Sequence, residues 1–135
     1  MTDKKSIANK NTKIKNFKDL RNWQEDIKLV KDIYLLSKNF PKDEMYGLSS
    51  QMGRCAVSIP SNIAEGFRRY HNKEYKQFLY ITLGSCAELE TQVTIAHDLE
   101  YIKEETKEKI NEKIQYIYKM VSRLIQKLDE SIYTN

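Results

Sequence analysis

Apolar residues along the chain recur at alternating spacings of three and four, the pattern of amphipathic helices. The first segment with this pattern has two apolar rows, one at Leu20, Trp23, Ile27, Val30 and Tyr34 and the other at Leu29, Ile33, Leu36 and Phe40. Pro41 follows directly, and a proline disfavours helical backbone at the residue before it. The pattern therefore predicts a first helix over residues 19–39 with a wide apolar face.

Two more amphipathic segments follow and predict two helices joined by a turn near Tyr70. The second helix has its apolar row at Leu48, Met52, Cys55, Ile59 and Ile63. The third helix, for which Asn72 is the predicted N-cap, has its row at Tyr75, Phe78, Leu79, Thr82, Cys86, Leu89, Val93 and Ala96.

The last segment follows Glu104 and Glu105 and is the most regular. Its main row consists of Ile110, Ile114, Ile117, Val121, Leu124 and Leu128, and its flanking row of Tyr118, Ile125 and Ile132. Four long helices with short connections predict an all-α, antiparallel up-down-up-down four-helix bundle. The apolar faces of the first and fourth helices are wider than an isolated bundle needs, so we expect the protein to self-associate.

Pro60 lies inside the second predicted helix, where a proline costs about 3 kcal/mol because it lacks an N–H and crowds the preceding turn. Ser61 and Asn62 are candidates to compensate, for example by a bond from the Ser61 hydroxyl to the carbonyl of Val57. We predict a continuous but kinked helix. The alternative is a helix that stops near Ser58 and restarts at Ser61.

Polar residues form a ridge beside the apolar row of the second helix, at Arg54, Ser58, Ser61 or Asn62, Glu65 and Arg69. If the hairpin turns near Tyr70, Cys55 and Cys86 are level across the helix pair, and so are Arg54 and Glu88. We therefore predict a structural polar seam with an Arg54–Glu88 ion pair, made by Ser58, Pro60, Ser61, Asn62, Glu65 and Glu88. A solvated face is the alternative, and we expect the two thiols to be free.

Charge is concentrated at the start of the chain. The chain has 23 basic and 19 acidic residues, of which five basic and one acidic lie in residues 1–16. The remainder therefore has 18 of each and is neutral. We interpret residues 1–16 as a flexible basic tail and 17–135 as the bundle domain. Such a tail is either a solubilising extension or an arm that seeks phosphate.

Few features of the sequence indicate an enzyme. The two cysteines have no CxxC spacing, and neither His71 nor His97 belongs to a Glu-x-x-His pair of the kind that binds metals in helical bundles. A carboxylate cluster of Glu65, Glu88 and Glu90 is less expected than ion pairing or solvent exposure. We predict no enzyme activity, cofactor or metal, and, without an apolar leader or membrane span, a cytoplasmic protein.

A binding role has one physical argument. In the predicted topology the Lys-rich tail lies at the same end as the turn between the second and third helices, where basic residues cluster at Arg68, Arg69, Lys73 and Lys76. Repetition of this patch around a ring would concentrate charge that attracts phosphates. The alternative is that these cations only keep a helix end solvated and complement its dipole. Tyr70 and Tyr75 are candidates to stack bases, although Tyr75 lies on the apolar row.

The sequence resembles a known family in the run YGLSSQMGRCAVSIPSNIAEGFRR from Tyr46, in KEY at 73–75, in FL at 78–79 and in GSCAELETQ from Gly84. These strings are similar to bacterial four-helix-bundle proteins encoded inside intervening sequences of 23S ribosomal RNA genes, over roughly Phe17 to Ile132. The resemblance implies a ring, commonly a homopentamer, related to the accessory variability proteins of diversity-generating retroelements. Those relatives bind a reverse transcriptase and nucleic acid through basic surface.

This chain departs from the family where nucleic acid would bind. Family members often carry a basic pair where this chain has Gly53 and Arg54, and a basic residue where it has Leu83, so only Arg54 is retained. Two functions therefore stay open. One is an oligomeric scaffold that binds RNA or a nucleic-acid-processing partner at its basic end, and the other is a protein–protein interaction module without nucleic acid.

Overall fold

The computed structural model describes residues 14–134, with side chains through Ser131. Within this range the chain forms four α-helices, α1 (Arg21–Ser37), α2 (Leu48–Phe67), α3 (Asn72–Asp98) and α4 (Glu104–Thr134), and no strand. Two short 3-10 turns, Phe17–Asp19 and Lys42–Glu44, precede α1 and α2. The predicted all-α fold is confirmed.

Each helix packs on two others, α1 on α2 and α4, and α3 on α2 and α4, so the four enclose one core. The guanidinium of Arg68 lies 5.2 Å from the ring of Phe17, which places the start of α1 beside the turn between α2 and α3. At the opposite end, the rings of Phe40 and Tyr101 are 5.2 Å apart. These contacts are those of an up-down-up-down bundle.

The predicted apolar rows supply most of this core. All six residues of the main α4 row are buried, as are Met52, Ile59 and Ile63 of α2. Tyr34 and Tyr118, which were assigned to the rows of α1 and α4, are instead 50% and 40% exposed. The side chain of Ile132 lies outside the described residues.

The helix ends differ from prediction in one informative place. The N-cap of α3 is His71, and Asn72, the predicted cap, is the first residue of the helix. Asn72 is buried, and its amide donates to the hydroxyl of Ser131 on α4 at 3.3 Å. Its polar side chain therefore joins two helices instead of capping one, because packing against α4 offers it a partner.

The C-terminus of α3 closes with a left-handed residue that is not glycine. Glu100 has a φ of 65°, its N–H donates to the carbonyl of His97, and the N–H of Tyr101 donates to that of Ala96. These two bonds form a Schellman motif, which satisfies carbonyls at a helix end and usually places glycine at the left-handed position. Glu100 thus carries a steric penalty at this site.

Helix α2 is continuous through Pro60, as predicted, and does not stop at Ser58. The hydrogen bonds beside the proline come from Ser58 and Asn62: the Ser58 hydroxyl donates to the carbonyl of Cys55 at 2.6 Å and the Asn62 amide to the carbonyl of Ser58 at 2.7 Å. The candidate bond from Ser61 to Val57 is not formed within the described chain, and Ser61 is exposed. The bend itself stays a prediction.

The described chain begins before the predicted domain boundary at residue 17. Ile14 is buried against the bundle, and the side chain of Asn16 accepts a hydrogen bond from the N–H of Lys18 at 2.9 Å. Residues 1–13 of the predicted tail lie outside the described residues. No helix in the described part of the chain combines the length and apolarity needed to cross a bilayer.

Candidate functional site

A chain of polar contacts joins α2 to α3 near the middle of both helices. The hydroxyl oxygens of Ser58 and Ser85 lie 2.8 Å apart, and the thiol of Cys55 donates to the carbonyl of Ser85 at 3.2 Å. We call these three residues, with Asn62, the α2–α3 seam. Because the contacts connect residues about 30 positions apart in sequence, they fix how α2 and α3 align.

The structure brings only some of the predicted seam residues together. Ser58 and Asn62 belong to it, and Pro60 is buried beside them. Ser61, Glu65 and Glu88 are exposed, and Glu65 pairs with Arg69 at 3.1 Å along α2.

The predicted Arg54–Glu88 ion pair is not formed within the described chain. Arg54 instead donates to the hydroxyl of Ser50 at 3.1 Å, and Glu88 is 3.5 Å from the amide of Gln92. Each long side chain finds a partner one turn away on its own helix. Both residues are exposed, and so they are accessible to another molecule.

Cys55 and Cys86 are level across the helix pair and are free, as predicted. Burial raises the pKa of each thiol to about 12, and nearby carboxylates add to the effect, Glu88 for Cys55 and Asp26 for Cys86. Thiols with such pKa values stay protonated at neutral pH and are poor nucleophiles. The cysteines therefore act as packing residues.

The outward face of α3 presents large apolar side chains that the bundle does not cover. Ile81 is 53% exposed, Ile95 43% and Leu99 49%, and Val57 of α2 is also exposed. Ile81, Glu88 and Ile95 repeat at intervals of seven, which places them along one stripe of the helix. A β-carbon added at Gly84, which lies on the same stripe, would meet nothing within 4 Å. We call Val57, Ile81, Gly84, Ile95 and Leu99 the outer apolar face.

The predicted basic residues at the turn between α2 and α3 are mostly engaged with neighbours. Arg69 pairs with Glu65 and also lies 4.9 Å from the ring of Phe78, and Lys76 pairs with Asp129 at 2.6 Å. Arg68 lies over Phe17 but is exposed. Lys73 is exposed and has no ion-pair partner among residues 14–131. The basic end thus has fewer freely available charges than its sequence indicates.

Other candidate nucleic-acid contacts are separated by the fold. Arg54 lies 14 residues before Arg68 on α2, about 21 Å away at 1.5 Å per residue, so it is not part of the basic end. Tyr75 is completely buried, whereas Tyr70 is 81% exposed beside the ring of His71. Only Tyr70 of the two tyrosines is accessible for stacking.

Asp26 was missed by the sequence analysis and is the most unusual charged residue of the core. It is completely buried, and neither carboxylate oxygen has a hydrogen-bond partner in the described chain. Burial raises the pKa of its carboxyl to about 8, with a smaller effect from Glu25. The signal was present, since Asn22 and Asp26 continue the row of Leu29 and Ile33 at helical spacing, but polar residues were not counted as core.

The acidic and histidine side chains do not converge on one point. Glu65 and Glu88 are engaged along their own helices, and Glu90 accepts from Gln115 of α4 at 2.9 Å. His97 pairs with Glu104 at 2.8 Å. Within residues 14–131, no group of three or more His, Cys, Asp or Glu side chains is arranged to hold a metal ion.

Comparison with known proteins agrees with this architecture. The family model described as 23S rRNA-intervening sequence protein matches residues 18–123. Among solved structures, a protein of unknown function from the S23 ribosomal protein family of Bacteroides thetaiotaomicron is similar, with a TM-score of 0.70 and 24% identity over 77% of this chain and 97% of that chain. A search of curated proteins finds no match. Since the family model covers most of the chain, this protein belongs to the 23S rRNA-intervening sequence protein family.

Proposed function

We propose that the protein is a non-enzymatic, oligomeric helical-bundle scaffold that binds RNA or a nucleic-acid-processing partner at its basic end. The main observation in support of the oligomeric scaffold is the outer apolar face beside the α2–α3 seam. Ile81 and Ile95 are exposed on one stripe of α3, with Leu99 at its C-cap and Val57 on α2, and several exposed apolar side chains grouped on one side favour a surface that another molecule covers.

A second copy of the chain is the partner that suits this face. Arg54 on α2 and Glu88 on the stripe of α3 carry opposite charges and form no ion pair within the described subunit, so the Arg54 of one subunit can pair with the Glu88 of the next. The open space at Gly84 permits close approach of another helix. The subunit number, five by family resemblance, and the relation to diversity-generating retroelements stay predictions.

The basic end supports the nucleic-acid part of the proposal. Arg68 and Lys73 are exposed there, and each subunit of a ring would add another pair of charges to the same end. Contacts between such cations and phosphates weaken steeply with salt and depend little on base sequence. A protein–protein interaction module without nucleic acid is the alternative function.

Self-association is tested by light scattering after size exclusion, with the double substitution Ile81→Lys and Ile95→Lys. We expect the wild-type chain to be oligomeric and the variant to be monomeric, because each new charge would be desolvated at the interface. Tyr46→Lys, at an exposed aromatic residue in the turn before α2, is the matched control and should assemble normally. Assembly of the double variant to the wild-type mass would contradict the proposed interface.

Nucleic-acid binding is tested by titration with a structured RNA at low and at moderate salt. We expect binding at low salt that weakens at the higher salt, and further weakening in Arg68→Gln with Lys73→Gln. Lys119→Gln, an exposed lysine elsewhere on the surface, serves as control. An oligomer that binds no RNA at low salt would favour the protein–protein alternative.

A further inference from the structure

A cleft between α1 and α4 lies on the side of the bundle opposite the α2–α3 hairpin. Its volume is about 300 Å³, at the lower end of the range for small-molecule sites. The N-terminus of α1 and residues 116–127 of α4 line it, with Leu20, Arg21, Asn22, Tyr116, Met120, Arg123, Leu124 and Lys127. The lining includes three basic residues and no acidic one.

The three cations of the cleft are not neutralised by the protein. Arg21, Arg123 and Lys127 are exposed, and none of them has an ion pair among residues 14–131. Asp19, two residues before Arg21, is exposed and forms no ion pair with it, and Glu25, the first acidic residue of α1, pairs with Lys28 at 3.3 Å. Three like charges around one concavity repel each other and produce a positive potential that an anionic ligand would relieve.

Asn22 adds a polar side chain to the wall of the same cleft. The residue is only 9% exposed, yet its amide atoms are not among the buried polar atoms that lack a partner in the described chain, so they reach the solvent in the cleft. No hydrogen bond to this amide is formed within the described chain, which leaves it available to a ligand. An asparagine amide can donate to an anion and accept from a hydroxyl.

The backbone at the start of α1 supplies further donors. The N-cap is Leu20, whose side chain makes no capping bond, and the first turn contains no acidic residue. The N–H groups of the first turn therefore lack the side-chain acceptor that most helices provide. Together with the positive end of the helix dipole, they favour a phosphate beside Arg21.

Tyr116 gives the cleft an aromatic wall. Tyr116 is 42% exposed and lies one turn before Met120 on α4, so its ring is accessible to a planar group. From these observations we propose that the cleft binds a free nucleotide, with its phosphate at Arg21, Asn22 and Arg123 and its base against Tyr116. This site lies at the same end of the bundle as Arg68 and Lys73 but on the α1–α4 side, with other lining residues, and it does not depend on RNA binding at those two residues.

Isothermal titration of the full chain with AMP tests the proposal, with adenosine and inorganic phosphate measured in parallel. We expect AMP to bind at least about tenfold more tightly than adenosine or inorganic phosphate, because each of these two makes only part of the contacts of AMP. Arg123→Gln should weaken AMP about tenfold or more, the effect of a lost hydrogen bond to a charged group. Asn22→Ala and Tyr116→Leu should also weaken it.

Lys119→Gln, one turn before Arg123 on α4 and outside the cleft, is the matched control and should bind AMP as the wild type does. Since Arg123 is exposed, its substitution leaves the core intact, which circular dichroism will check. Equal affinity for adenosine and AMP, or equal affinity of the Arg123→Gln and Lys119→Gln variants, would overturn the proposal. In the Arg68→Gln, Lys73→Gln variant, a 5′-phosphorylated oligoribonucleotide that binds more than tenfold tighter than AMP, and that the further change Arg123→Gln weakens, would also overturn the assignment to a free nucleotide.

Discussion

The buried carboxyl of Asp26 makes the stability of the bundle depend on pH in an unusual direction. The pKa of this group is raised from 3.8 to about 8 by burial, so the native protein keeps the proton over a range in which the unfolded chain has lost it. Between these pH values the native state binds one more proton, and stability therefore falls as pH rises. Each pH unit in this window lowers the folding equilibrium constant about tenfold.

The substitution Asp26→Asn removes this titration while it retains the shape of the side chain. From about pH 5 to about pH 7.5 the wild-type free energy of unfolding should fall by about 3 kcal/mol relative to that of the variant. Other groups near the site, including Glu25 and the Cys86 thiol, are the same in both proteins and cancel in the comparison.

Urea denaturation followed by circular dichroism, at one protein concentration and at both pH values, measures the difference. Asp19→Asn is the control, because Asp19 is exposed and should not change the pH dependence. Parallel pH dependence of the wild type and Asp26→Asn would refute the reasoning.

Three further predictions concern the packing of the bundle, each measured as the free energy of unfolding in urea. Ser58→Ala should lower the free energy of unfolding by about 1–2 kcal/mol because it breaks the seam. The double variant with Ser58→Ala and Ser85→Ala should lose less stability than the sum of the losses in the two single variants. Additive losses would mean that the two hydroxyls do not interact. Glu100→Gly should stabilise by about 1 kcal/mol, since glycine relieves the left-handed backbone, and a loss of stability would contradict this account of the turn. Gly66→Ala should lower the free energy of unfolding by about 1–3 kcal/mol, because the added β-carbon would lie 2.8 Å from the β-carbon of Phe78. Gly84→Ala is the control: the space around Gly84 is open, so the change should raise the stability of the subunit by up to about 1 kcal/mol. Equal effects of the two changes would argue against the close approach at Gly66.

The fold was predictable because helical periodicity and short connections leave few arrangements for four apolar faces. The row of α2, the main row of α4 and, apart from the half-buried Phe78, the row of α3 form the core as expected. The level placement of Cys55 and Cys86 followed from counting residues on both sides of the turn. These features depend on spacing alone, which a sequence records directly.

The site was less predictable because side-chain partners depend on distances that spacing does not determine. Arg54 and Glu88 are level yet each interacts within its own helix, and Asn72 bonds to Ser131, which is 59 residues away. The cleft between α1 and α4 was missed for a related reason. Its cations come from the two ends of the chain, and only the closed bundle brings them together.

Sedimentation equilibrium of the full chain at micromolar concentration tests the central claim most directly, namely that the outer apolar face of the bundle is covered by copies of the same chain. The account predicts a particle whose mass is a multiple of 16.0 kDa and which remains associated on moderate dilution. A single species of 16.0 kDa across the concentration range would contradict it.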